Sequence, residues 1–84
     1  MTKRELKIYF KVQDETLIQG YIALLDGQFS KIPFTTGARR EKEDLQNIFV
    51  FEFKGTTPDF VLNKIKENIL QIDFIAKVDI EVKE

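Results

Sequence analysis

The stretch from Ile48 to Val82 reads as strand, helix, strand, and it constrains the fold more than any other part of the chain. Phe49, Phe51 and Phe53 alternate with Ile48, Val50 and Glu52. Phe74, Ala76, Val78, Ile80 and Val82 alternate with Ile75, Lys77, Asp79 and Glu81. Both runs have the two-residue repeat of a strand. Between them Val61, Leu62, Ile65, Ile69 and Ile72 recur at steps of three and four, the stripe of an amphipathic helix. Thr57 as N-cap, Pro58 at the first helical position and Asp59 in the first turn predict its start, so the helix is expected over about 58–72. A strand that returns along a helix into a second strand makes the two strands parallel, adjacent or with another strand between them, joined by a right-handed crossover.

The N-terminal half is read by the same rule. Leu6, Ile8, Phe10 and Val12 alternate with Lys7, Tyr9 and Lys11, which predicts a half-buried strand. Gln13-Asp14-Glu15 reads as a polar turn, and Thr16 to Leu25 as a second strand antiparallel to the first, with Gly20 at a bulge. Asp26-Gly27 is a hairpin signal leading into a short strand from Phe29 to Phe34, which Pro33 assigns to an edge. Residues 35–47 lack apolar alternation and are expected to form a mobile loop, with room for a helical turn around Glu41 to Gln46. The predicted fold is therefore α+β in two layers: a four- or five-stranded mixed sheet in the order β-β-β-β-α-β, with one helix on one face. Eighty-four residues make one small domain, 1–84, with a single core.

Composition narrows the chemistry. The chain has no His, no Cys and one Ser, Ser30, so neither a Ser-His-Asp nor a Cys-His arrangement is available, and zinc and other metals that take nitrogen or sulfur ligands are disfavoured. Glu41, Glu43, Asp44, Asp79 and Glu81 are the carboxylates open to a hard cation or to acid–base work, but none has the spacing of a calcium loop. No catalytic residue, metal or cofactor is expected, and the protein is read as not an enzyme. Lys54-Gly55-Thr56-Thr57 occupies the strand-to-helix position where phosphate loops occur. It lacks the G-x-x-x-x-G-K-[ST] order, and helix capping accounts for it. No apolar leader or run of about 20 residues is present, which places the chain in the cytoplasm as an expectation.

Function is then expected from surfaces. One helix covers one sheet face, whereas the predicted second strand and the Phe49 strand are apolar on both sides. At about 25 cal/mol per Å2 a wet apolar face is expensive for a small domain. A protein partner or a second copy in a homodimer is therefore expected on Leu17, Tyr21, Ala23, Leu25, Ile48 and Val50; the competing expectation is that the 35–47 loop folds over them. The chain reads as a non-catalytic protein-interaction or assembly module, in the manner of a small accessory or inhibitory protein, acting through a sheet face or an edge strand. The alternative is a nucleic-acid-binding face. Residues 1–40 carry seven Lys/Arg against four Asp/Glu, a balance of +3, and residues 41–84 six against ten, a balance of −4. Lys7, Tyr9, Lys11, Gln19, Tyr21, Lys31, Arg39, Arg40 and Lys42 would supply the basic groups and rings that hold single strands.

Overall fold

The computed structural model describes residues 2–84. Its elements run β1 (Lys3–Phe10), α1 (Glu15–Phe29), β2 (Thr35–Glu43), β3 (Gln46–Lys54), α2 (Asp59–Leu70) and β4 (Ile75–Lys83). The protein is α+β, with a four-stranded sheet in the order β2-β3-β1-β4 and every neighbouring pair antiparallel. Strands β3 and β4 are parallel to each other with β1 between them, one of the two arrangements expected. Strands β1 and β2 are likewise joined through α1 with β3 between them. Two interleaved units of this kind make the split β-α-β topology also called ferredoxin-like, which by itself assigns no function.

Three expectations for the N-terminal half are corrected. The predicted strand from Thr16 to Leu25 is the helix α1. Its signal is Asp14, whose carboxylate accepts the Leu17 N–H at 3.1 Å as N-cap, followed by Glu15 in the first turn. Ile18, Leu25 and Phe29 then fall on one buried stripe, flanked by half-buried Tyr21 and Ile22. The run LIQGYIALL satisfies both a period of two and a period of 3.6, and the helix wins because its own stripe buries in the core. Asp26-Gly27 consequently lies inside α1 rather than in a hairpin.

The predicted strand from Phe29 to Phe34 is the end of α1 and a turn. Thr35 N–H donates to Ile32 O at 3.2 Å with φ of 78° at Phe34, the pattern of a type II turn with Pro33 in its favoured position. Residues 35–47 are not a mobile loop but the edge strand β2 and the hairpin into β3. Glu43 pairs with Gln46, and both central residues, Asp44 and Leu45, have positive φ, 51° and 68°, as a type I′ hairpin turn requires. The sheet is thus antiparallel throughout, and there are two helices where one was expected.

Both helices lie on one face of the sheet. Leu62, Ile65 and Ile69 of α2 and Ile18, Leu25 and Phe29 of α1 enclose Leu6, Ile8, Phe10, Phe49, Phe51 and Phe53. Phe51 meets Phe49 and Phe29 edge to face, with centroids 5.0 and 6.4 Å away. The start of α2 also departs from expectation. Pro58 is its N-cap and makes no side-chain cap bond, while Thr57 donates its hydroxyl to Lys54 O at 2.5 Å. Among the described residues no helix is long and apolar enough to cross a membrane.

Leu45 is 93% exposed, so its side chain contributes no burial while its backbone occupies a region unfavourable to L-residues. Leu45→Gly lifts a left-handed penalty of about 1–2 kcal/mol and returns part of it as chain entropy in the unfolded state. The expected net is a gain of about 0.5–1 kcal/mol, seen as a higher urea midpoint at unchanged slope. A lower midpoint would contradict the turn assignment.

Candidate functional site

The sheet face turned away from the helices was expected to need a partner. In the structure it is closed by charged side chains of the same chain. Alternation along the registered strands puts Lys3, Glu5, Lys7 and Tyr9 of β1 on this face, beside Ile48, Val50 and Glu52 of β3. Arg39, Glu41 and Glu43 of β2 flank them on one side and Lys77, Asp79 and Glu81 of β4 on the other. Two cations organise the face. Arg39 reaches Glu5 at 2.8 Å, Glu41 at 2.7 Å and Glu52 at 3.1 Å. Lys7 reaches Glu43 and Glu81, each at 3.1 Å.

Tyr9 donates its hydroxyl to Glu43 at 2.9 Å, and the Lys77 ammonium lies 4.4 Å above its ring centroid, within cation–π range. Beneath these groups Ile48 and Val50 are 1% and 0% exposed. The aliphatic stems of the charged residues cover them. Strand β2, the stretch expected as a loop, supplies one half of that cover. Four of the five carboxylates weighed as cation ligands are taken up in the same way, Glu41, Glu43 and Glu81 by Arg39 and Lys7 and Asp79 by Lys77 at 3.5 Å, while Asp44 lies in the β2–β3 turn.

The pKa shifts follow from this geometry. Burial, reinforced by the hydrogen bond to Glu43, pushes the Tyr9 phenol up to about 12. The Tyr9 hydroxyl and then the Lys7 ammonium hold Glu43 below the usual carboxylate range. Hydrogen bonds to Glu81 and Glu43 hold Lys7 well above the usual lysine range. Glu5 is 3% exposed and its second carboxylate oxygen has no partner among the described residues, so Arg39 alone compensates it.

The structure divides the residues predicted for a partner. Ile48 and Val50 lie under the charged face, Leu25 is in the core, and Leu17, Tyr21 and Ala23 lie on α1 in the other layer. The nine residues predicted for nucleic acid divide as well. Lys7, Tyr9 and Arg39 share the open face; Gln19 and Tyr21 lie on α1; Lys11 follows β1; and Lys31 is in the turn after α1. Arg40 and Lys42 take the alternate positions of β2, where Arg40 forks onto Glu15 of α1, raising its own pKa and lowering that of the carboxyl.

The geometry instead exposes a flank of α1. Leu17 and Leu24 are 47% and 56% exposed, and beside them the Tyr21 ring stacks on Phe74 at 3.9 Å and 3°. Lys11, Val12, Tyr21, Asp73 and Phe74 line a recess of about 350 Å3 next to this pair. Leu24 escaped the sequence reading because a strand pattern assigned it to the other face, and Val12 and Phe74, expected on strand faces, lie just outside β1 and β4. The helical period starting from Asp14 would have found Leu24.

Two outcomes test the charged face. Arg39→Ala leaves Glu5 buried and unpaired, and should cost about 2–3 kcal/mol, below the range for a fully buried pair because Arg39 is partly exposed. Removing both charges in Glu5→Leu/Arg39→Leu should restore most of that loss in urea titrations, and a double variant as weak as Arg39→Ala would contradict the pairing. The pH dependence has a defined sign. Tyr9 contributes stability that is whole below the ordinary tyrosine pKa of about 10 and is lost as pH rises toward about 12. Glu43 contributes on the other limb, its share being lost as pH falls below the ordinary carboxylate range. Tyr9→Phe should flatten the alkaline fall and remove a phenol titrating near pH 12 from the 295 nm absorbance. Compared with models of known protein families, with curated proteins and with solved structures, the chain matches none.

Proposed function

We propose that the protein is a non-catalytic protein-interaction module that assembles through the outer flank of α1, with a second copy of the chain as its partner. The observation that carries this reading is the heptad seam Leu17, Gly20, Leu24, Gly27. Both leucines are about half exposed, and a Cβ at either glycine would meet nothing within 4 Å. A glycine inside a helix costs about 0.5–1 kcal/mol relative to alanine, and nothing in the chain packs on these two. A second helix approaching the seam would use that space.

Charge supports a like partner. α1 contains no Lys or Arg, and its acidic residues Glu15 and Asp26 lie about half a turn around the helix from Leu17 and Leu24. Two copies related by a two-fold axis would bring no like charges together at the seam. Assembly through the open sheet face or a sheet edge has less support. Ion pairs already cover the face, and the edge strand β2 alternates charges along its length, a pattern that discourages edge pairing. The nucleic-acid alternative is weakened because Lys7, Arg39 and Arg40 each hydrogen-bond a carboxylate of their own chain.

Size-exclusion chromatography with light scattering at tens of micromolar should give twice the 9.9 kDa chain mass for the native sequence. Leu24→Glu should give a single chain mass with an unchanged circular dichroism spectrum. A native chain that remains monomeric at millimolar concentration would overturn the reading.

A further inference from the structure

We infer that the end of the open sheet face at Lys54 and Lys3, with Lys83 next to Lys3 in the same row, is a binding site for a phosphoryl group. The register places Lys3 directly opposite Lys54 on β3 and directly opposite Lys83 on β4, so three lysines form one row across three adjacent strands. Like charges directly opposite each other across strands are unfavourable. The neighbouring row, Glu52, Glu5 and Glu81, has the opposite sign, yet it compensates the lysines poorly. Glu52 makes its shorter contact to Arg39 at 3.1 Å and only a 3.8 Å one to Lys3. Glu81 likewise meets Lys7 at 3.1 Å and Lys83 at 3.8 Å. Lys54 has no carboxylate partner among the described residues. On its outer side β3 ends at Lys54 and the chain turns through Gly55 and Thr56.

A recess opens on that outer side. It measures about 570 Å3, within the range of small-ligand sites, and is lined by Lys3 and Lys54 with Thr2, Thr36, Gly55 and Thr56. Ammonium groups are strong point-charge partners for phosphate, and threonine hydroxyls add donors. The wall is built rather than incidental. A Cβ at Gly55 would lie 2.5 Å from Thr2 O, so the turn presses against the start of β1, and the Thr57 hydroxyl ties the same turn to Lys54 O. Helix capping, which would otherwise account for these residues, is not their role, because Pro58 is the N-cap and no side chain caps α2. The ligand is a dianionic phosphoryl group, free as inorganic phosphate or carried as a monoester on a small organic body that occupies the rest of the recess.

The test is a nitrogen-15 NMR titration of the full chain at constant ionic strength, with inorganic phosphate in one arm and glycerol 3-phosphate in the other, against chloride. Saturable shifts confined to the amides around Thr2, Lys3, Thr36 and Lys54 to Thr56 are expected. The tighter arm identifies the source. Lys54→Gln should weaken binding at least fivefold while folding as well as the native chain, since it removes a charge that faces Lys3 and has no partner. Shifts that chloride reproduces, no saturation in either arm, or unchanged binding in Lys54→Gln would each overturn the assignment.

Discussion

The contact of Arg39 with Glu5 governs the rest of this structure. A carboxylate at the centre of a four-stranded sheet, almost wholly removed from water, is tolerable only with a cation held against it. That cation comes from β2, the edge strand on the far side of β3, so the pair ties the middle of the sheet to its margin. Because Arg39 also holds Glu41 and Glu52, the pair belongs to a network, and Lys7 organises the other half with Glu43 and Glu81. The consequence is a sheet with two closed faces. One is covered by helices, the other by the stems of the chain's own charged residues over Ile48 and Val50.

How much of this was legible follows the distribution of apolar residues. The segment from Ile48 to Val82 was legible as strand, helix and strand because β3 and α2 carry core-facing apolar repeats of one period. In β4, by contrast, a register shift brings Ile75 as well as Val78 to the core and leaves Ala76 exposed, and the cap of α2 is Pro58 rather than Thr57. Helix α1 was misread because LIQGYIALL supports two periods, and two glycines with several β-branched residues tilt local propensity away from helix. Asp14 was the discriminating residue, a capping signal read as a turn. Strand β2, Thr-Thr-Gly-Ala-Arg-Arg-Glu-Lys-Glu, was invisible to hydrophobic periodicity since it buries no apolar side chain of its own. Its alternation is electrostatic and becomes apparent only when β3 supplies the register. The hairpin that joins them was missed because Asp44-Leu45 adopts positive φ without glycine, whereas the orthodox signal Asp26-Gly27 lies in a helix.

The candidate functional surface moves with these elements. Part of the apolar second sheet face expected from the sequence belongs to α1, and the part that lies on β3, Ile48 and Val50, is covered by the chain's own charged side chains. Exposed apolar surface remains, but on the helical layer at Leu17 and Leu24. A row of like charge likewise lies not on the hairpin but at the sheet end, where Lys54, Lys3 and Lys83 align. Both features arise where the two closed faces stop: at the outer flank of a helix and at the last row of a charge lattice.

The closure of the open face within one chain is best tested by solvent paramagnetic relaxation of methyl protons, using a soluble neutral gadolinium chelate at a protein concentration low enough to keep the chain monomeric. The methyls of Ile48 and Val50 should be shielded as strongly as those of Leu62 and Ile69 in the helical core, with Leu45 relaxing fastest. Relaxation of Ile48 and Val50 close to that of Leu45 would show that the charged side chains do not cover the sheet, and would contradict the account.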